Sequence, residues 1–192
     1  MQKYPSESEC IRMLKDAGCT KRVIIHCCTV RTVAEQMMKK IDCDREAVVV
    51  GALLHDIGRS VDHSIMHANI GADIARKNGL PEEIVSIIRK HTGAGLDDQD
   101  VIDMGLPPGD YMPKTIEEKI VAHSDNMVSD NTVVPHTHSV EKLMAKDAVR
   151  GAERVENLHL ELSRLYGEDL DVIVHIIGER PHLVGPCGKH YS

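Results

Sequence analysis

The sequence predicts an all-α fold, a single helical domain spanning residues 1–192. Three observations predict it. Apolar residues recur at three- and four-residue spacing almost throughout, not at the alternating spacing of strands. Two such stretches open with a reciprocal cap, Ser6 with Glu9 and Thr115 with Glu118, a pattern that starts helices. The core must be filled by Ile, Val, Leu, Met and Ala, because the chain has no Phe, no Trp and only 4 Tyr. The length is that of one ordinary domain.

The elements follow in order. A first helix starts after Ser6 and ends near Gly18. A second begins at Thr20 and places His26, Val30, Val33 and Met37 on one stripe, so His26 points inward. The third runs from about Asp44 through AVVVGALLHDIG, apolar nearly all round as a buried central helix should be, with His55 and Asp56 at its C-terminal end before Gly58. A fourth, around HANIGADIARKNG, stops at Gly79. Pro81 then fits the first position of a fifth, PEEIVSIIRKH, which aligns Ile84, Ile88 and His91. Residues 92–114 are rich in Gly, Pro and Asp, with room for one short helix, and a loop of that length is more often functional than decorative. The next helix, TIEEKIVAHSDNMV, turns Ile120, Val121, Asp125 and Val128 to the core. After the polar NTVVPHTHS, C-terminal helices cover residues 140–178: a long one from Val140 to Tyr166, then a shorter one from Asp169 to Ile177, followed by an irregular tail.

Composition excludes several classes of function. The formal net charge is -7 and no segment concentrates Lys and Arg, which argues against stable nucleic-acid binding. No apolar run reaches the ~18 residues of a membrane span. The six cysteines include no C-x-x-C pair, and MQKYPSESEC lacks a basic-then-apolar leader. They are expected to be reduced, small buried hydrophobes in a cytoplasmic protein.

The chemistry gathers at His26, His55, Asp56 and Asp125, which stand on the inward faces of three helices. Burying carboxylates and imidazoles among aliphatic side chains costs several kcal/mol unless a partner or a cation compensates. Two imidazoles and two carboxylates suit a divalent transition metal (Mn, Fe, Zn, Co or Ni) and leave positions open for water.

The order H26…H55-D56…D125, with the pair extended to HDIG, resembles the HD superfamily over residues 20–130, and the run TIEEKIVAHSDN resembles uncharacterised archaeal HDIG proteins. That resemblance implies an HD-type helical bundle and a metal-dependent phosphohydrolase. In it a metal-activated water attacks phosphorus in a small phosphorylated substrate, a nucleotide or another phosphate ester. Members with two metals carry extra histidines, one four residues before a glycine as His67 precedes Gly71, another ending a short helix as His91 does. The resemblance therefore implies a second ion on His67 and His91 with Asp56 bridging, one or two ions per chain staying open. Arg59 follows HDIG where many relatives carry a phosphate-binding Lys, so Asp56 and Arg59 are the residues expected to carry catalysis. A di-iron oxygenase on the same scaffold and a non-catalytic metal- or ligand-binding domain are the rival readings.

The remaining candidates are weaker. His63 can approach the site from its loop, and His123 should face away from Asp125 on its helix. His136 and His138 read as solvated loop residues, and His159, His175, His182 and His190 have no evident partner. Tyr111 is the one aromatic placed to stack a base. Substrate, native metal and self-association as a homo-oligomer are not fixed by these residues.

Overall fold

Polar side chains at helix entrances set the architecture of the computed structural model, which describes residues 4–188. The Ser6–Glu9 box opens α1 (Glu7–Asp16), Thr20 accepts the Val23 N–H to open α2 (Lys21–Met37), and Asp44 accepts the Ala47 N–H to open α3 (Arg45–Leu54). α3 is central, packed against α1, α2 and two later helices, α5 (Glu82–Lys90) and α7 (Ile116–Asn126). Its Val48, Ala52, Leu53 and Leu54 are wholly buried. The helix ends before the His-Asp pair instead of running through it. Asp56 leaves helical geometry at φ -100 and ψ 14, and a 3-10 turn, Ile57–Ser60, follows.

α4 (His67–Lys77) lies on that turn and against α5, whose cap residue is Pro81, so that the helix starts one residue later than expected. The junction is backbone against backbone. A Cβ on Gly58 would stand 1.9 Å from the His67 carbonyl oxygen and 2.6 Å from the Gly71 nitrogen. Between α5 and α7 the loop holds α6 (Asp98–Asp103), and the Thr115–Glu118 box opens α7.

The C-terminal third departs from expectation. NTVV belongs to a hairpin, β1 (Val128–Ser129) with β2 (Thr132–Val133), turned by Asp130 at φ 57. The single helix expected from 140 to 166 is two, α8 (His136–Met144) and α9 (Val149–Tyr166). Asp147 takes the left-handed conformation at φ 57, and the Ala148 N–H reaches back to the Leu143 carbonyl at 3.0 Å, a closing turn of the Schellman type built without glycine. α10 (Val172–Ile177) is shorter than expected. The tail is not irregular throughout. The Glu179 carbonyl accepts from the Val133 N–H, and α11 (Gly185–Gly188) buries Cys187. Cys187 is joined to Cys28 of α2 by a disulfide, which corrects the all-thiol expectation; Cys10, Cys19 and Cys27 are the free buried thiols that was foreseen. Among the described residues no helix is long and apolar enough to cross a membrane.

Candidate metal centre

Four imidazoles share one orientation. His55 and His91 are the C-cap residues of α3 and α5, and His67 opens α4. Each gives its Nδ1 hydrogen to a carbonyl three residues back, Ala52 at 2.8 Å, Ile88 at 2.7 Å and Ser64 at 2.6 Å respectively. His26, in mid-helix, has no such free carbonyl. Its Nδ1 donates instead to Asp130 in the hairpin turn, at 2.6 Å. A carbonyl can only accept, so all four rings carry a hydrogen on Nδ1 and turn Nε2 inward, the second-sphere arrangement of metal-binding histidines.

The Nε2 atoms fall into two pairs, His26 with His55 at 3.3 Å and His67 with His91 at 3.1 Å. Asp125 Oδ1 lies 2.9 Å from His26 Nε2 and 3.6 Å from His55 Nε2. Asp56 faces both pairs. Its Oδ2 is 3.7 Å from the His26 and His55 nitrogens, and its Oδ1 is 3.2 Å from His67 and 3.5 Å from His91. Donor atoms bound ~2.1 Å from one ion stand roughly 3.0–3.5 Å apart, and these separations lie within a few tenths of an ångström of that range. Asp56 Oδ1 is buried with no hydrogen-bond donor, an orphaned charge that fits a cation and little else. The residues present therefore fit a divalent metal.

The electrostatics agree. Burial pushes the Asp56 and Asp125 carboxyls up, yet the surrounding imidazoles outweigh it and hold both well below the usual carboxylate range. Burial pulls His91 down. Burial also pulls on His26, but Asp125 more than compensates and raises it to about 9. Both carboxylates stay charged and the cavity asks for positive charge. The first pair is the open one, with the His26 side chain 16% and Asp125 23% exposed against 1% for His91.

A cleft of about 430 Å³ lies over this open side, lined by Arg22, His26, Asp56, Arg59, His63, Asp125, Ser139 and Lys142 among others. Arg59 donates Nε to Asp56 Oδ2 at 2.6 Å, so it is bound to the centre and not merely to the surface. His63 reaches the lining as expected. None of the loop 92–114 does; its Asp97 and Asp100 instead pair with Arg154 of α9, giving that loop a structural role. A larger groove of about 580 Å³, lined by Ile25, Thr29, Arg180 and His182, holds none of the six clustered residues.

Two expectations fail here. Tyr111 is buried, its hydroxyl 2.8 Å from the Pro107 carbonyl and 3.0 Å from Asn69, so it cannot stack a base. His136 is not a solvated loop residue, because it opens α8 in a buried network that the sequence reading missed. Its Nδ1 is 3.0 Å from Asp171 and its Nε2 3.1 Å from Glu156, while its ring stacks on His159 at 3.5 Å and 14°. His159 in turn meets His123 at 3.1 Å. The stacked planes run parallel, so their lone pairs do not converge, whereas the rings of the metal centre cross at 60–73°. The signal was present: His159 falls on the Val155–Leu162 stripe of its helix. His175 and His182 are exposed, and His190 lies outside the described residues.

The sequence pattern of the HD domain matches residues 23–130. Curated relatives named tRNA (cytidine(56)-2'-O)-methyltransferase, from Picrophilus torridus and Thermoplasma volcanium, are 44% and 40% identical over 169 residues, 88% of this chain and 50% of theirs. The chain thus spans about half the length of those relatives. A protein of Methanocaldococcus jannaschii named only as uncharacterised is 44% identical over 115 residues, 57% of this chain and 68% of that one. Among solved structures, the HD domain of the L. monocytogenes phosphodiesterase PgpH in complex with cyclic-di-AMP superposes with TM-score 0.56 at 15% identity, covering 90% of this chain and 98% of that one. At that identity the likeness shows the fold.

Proposed function

The chain belongs to the HD domain family, and from that membership we propose that it is a dinuclear metal-dependent phosphohydrolase acting on a small phosphate ester of the nucleotide class. The observation that carries the reading is Asp56, whose two oxygens each face a separate pair of histidines. Divalent ions held there supply a water of lowered pKa and a Lewis acid for phosphoryl oxygens. His26, His55 and Asp125 would hold the first ion, His67 and His91 the second, and Asp56 both. The carbonyl-bound Nδ1 hydrogens keep the four rings aimed at the centre. Arg59 is fixed through Nε on Asp56 and through one terminal nitrogen, at 3.5 Å, on the His63 carbonyl, and its other terminal nitrogen would meet the charge that grows on the phosphoryl group. Substrate enters by His26 and Asp125, the exposed side.

The activity in the names of the two archaeal methyltransferases we assign to the half of those proteins beyond the match, since the match covers 88% of this chain and half of theirs. The test is hydrolysis of p-nitrophenyl phosphate and bis(p-nitrophenyl) phosphate with Mn, Fe, Co, Ni, Zn and Mg supplied singly, using Asp125→Ala as control. Turnover in the wild type alone supports the reading. Oxygen uptake by the iron form without hydrolysis would replace it with the oxygenase.

A further inference from the structure

The cleft over the metal centre holds, beside Arg59, two cations that the proposed hydrolysis does not use, Arg22 and Lys142. Arg22 comes from the first turn of α2, Arg59 from the 3-10 turn and Lys142 from α8, three separate elements around one rim. Both arginines are anchored by Nε, Arg59 on Asp56 at 2.6 Å and Arg22 on Asp130 at 2.5 Å. An arginine held that way is pre-oriented and still has its terminal donors to offer a phosphate. Lys142 is exposed, and among the described residues it has no ion pair.

What the lining lacks is equally informative. Val23 and Val128 are its aliphatic members, and no Phe, Tyr or Trp belongs to it. Tyr4, Tyr111 and Tyr166 are buried elsewhere. Base recognition draws on broad stacking plates or apolar walls, and this cleft offers two valines and the imidazole of His63 in their place. Its volume of about 430 Å³ is near the lower end for small-molecule sites.

We propose that the cleft binds a compact substrate bearing two phosphate groups, the scissile one at the metals beside Arg59 and its neighbour between Arg22 and Lys142, and that it leaves the organic remainder unread. The proposal rests on the phosphohydrolase reading and names its substrate class. A lone phosphate would leave Lys142 and the terminal nitrogens of Arg22 facing only water, whereas a second one matches both.

The test is calorimetric titration of the manganese-loaded full chain with methylenediphosphonate and with methylphosphonate, whose P–C bonds give hydrolysis no ester or anhydride to cleave. The diphosphonate is expected to bind more tightly, and Lys142→Gln to weaken it by roughly ten- to hundredfold, the loss of one charge-assisted hydrogen bond, while methylphosphonate loses less than about twofold. Lys142→Arg should recover most of the difference. Adenosine and uridine diphosphates should compete within about threefold of each other. Equal affinity of the two phosphonates in wild type, equal weakening of both by Lys142→Gln, or a tenfold preference between bases would overturn the proposal. The two readings separate cleanly. Selective diphosphonate binding without turnover of any ester refutes the phosphohydrolase and leaves the anion subsite; turnover of p-nitrophenyl phosphate without that selectivity does the reverse.

Discussion

His67 Nε2 and His91 Nε2 stand 3.1 Å apart, each with its Nδ1 hydrogen already given to a backbone carbonyl. With Nδ1 so engaged, the neutral rings turn their Nε2 lone pairs toward one another beside a carboxylate oxygen. A shared cation resolves that contact. Protein purified without chelator should therefore carry close to two ions per chain, and the double change His67→Ala and His91→Ala should leave about one. Metal analysis reads the count directly, and an unchanged count in the double variant would mean the second pair binds nothing.

Asp125 arrives from α7, on a different helix from every histidine of the centre, and its loss removes a donor without touching the core. Asp125→Ala should keep its helical circular dichroism, abolish hydrolysis, and weaken metal binding by more than the ten- to hundredfold typical of second-sphere partners. A folded variant with full activity would remove Asp125 from the site.

Arg59 touches Asp56 and lines the cleft, so Arg59→Ala should act on rate more than on metal. Under metal-replete conditions the ion count should stay at the wild-type value while kcat falls by about 10²–10³, the scale of a lost transition-state donor. Because Arg59 also holds a proposed ligand, metal affinity should drop as well, by about tenfold or more. Wild-type kinetics would sink the phosphate role.

The buried network around His136 makes a prediction about stability. Burial pulls its pKa down, but Asp171 and Glu156 outweigh that and raise it above the ordinary 6.5. A raised histidine contributes stability that is complete below 6.5 and fades as pH climbs through the folded value. Asp171 is held below its ordinary 3.8, so its own contribution fades only in strong acid and leaves this window alone. The difference in Tm between wild type and His136→Ala should accordingly narrow from mildly acid to mildly alkaline buffer. A gap independent of pH would show that His136 acts by packing only.

Much of this was legible in the chain because the signals are local. The caps at Ser6, Thr20, Asp44 and Thr115 announce their helices within four residues, and the six clustered residues sit on helix faces or ends that periodicity identifies. What was illegible depends on contacts remote in sequence. The break between α8 and α9 rests on a left-handed Asp147 where a glycine would have advertised it. The hairpin has two-residue strands, too short for alternation to register. The tail is ordered by a bond to Cys28, 159 residues away. His136 meets Asp171 and Glu156 only after three helices have packed.

In the proposed two-ion centre, the contact between Gly58 and His67 would make the number of ions depend on a side chain that the protein does not have. His26, His55 and Asp125 stand on helices that pack around the central core, whereas His67 is brought in by a neighbouring pair of helices seated on bare backbone. A methyl group at residue 58 would meet the His67 carbonyl at 1.9 Å, and relieving it demands a displacement several times the ~0.2 Å within which metal ligands hold their distances. Gly58→Ala should thus turn a two-ion centre into a one-ion centre while the rest of the fold stands, a change that metal analysis at unaltered helicity would register. The last letter of HDIG is a packing seat, and a single carbon atom there would decide whether the proposed second site forms.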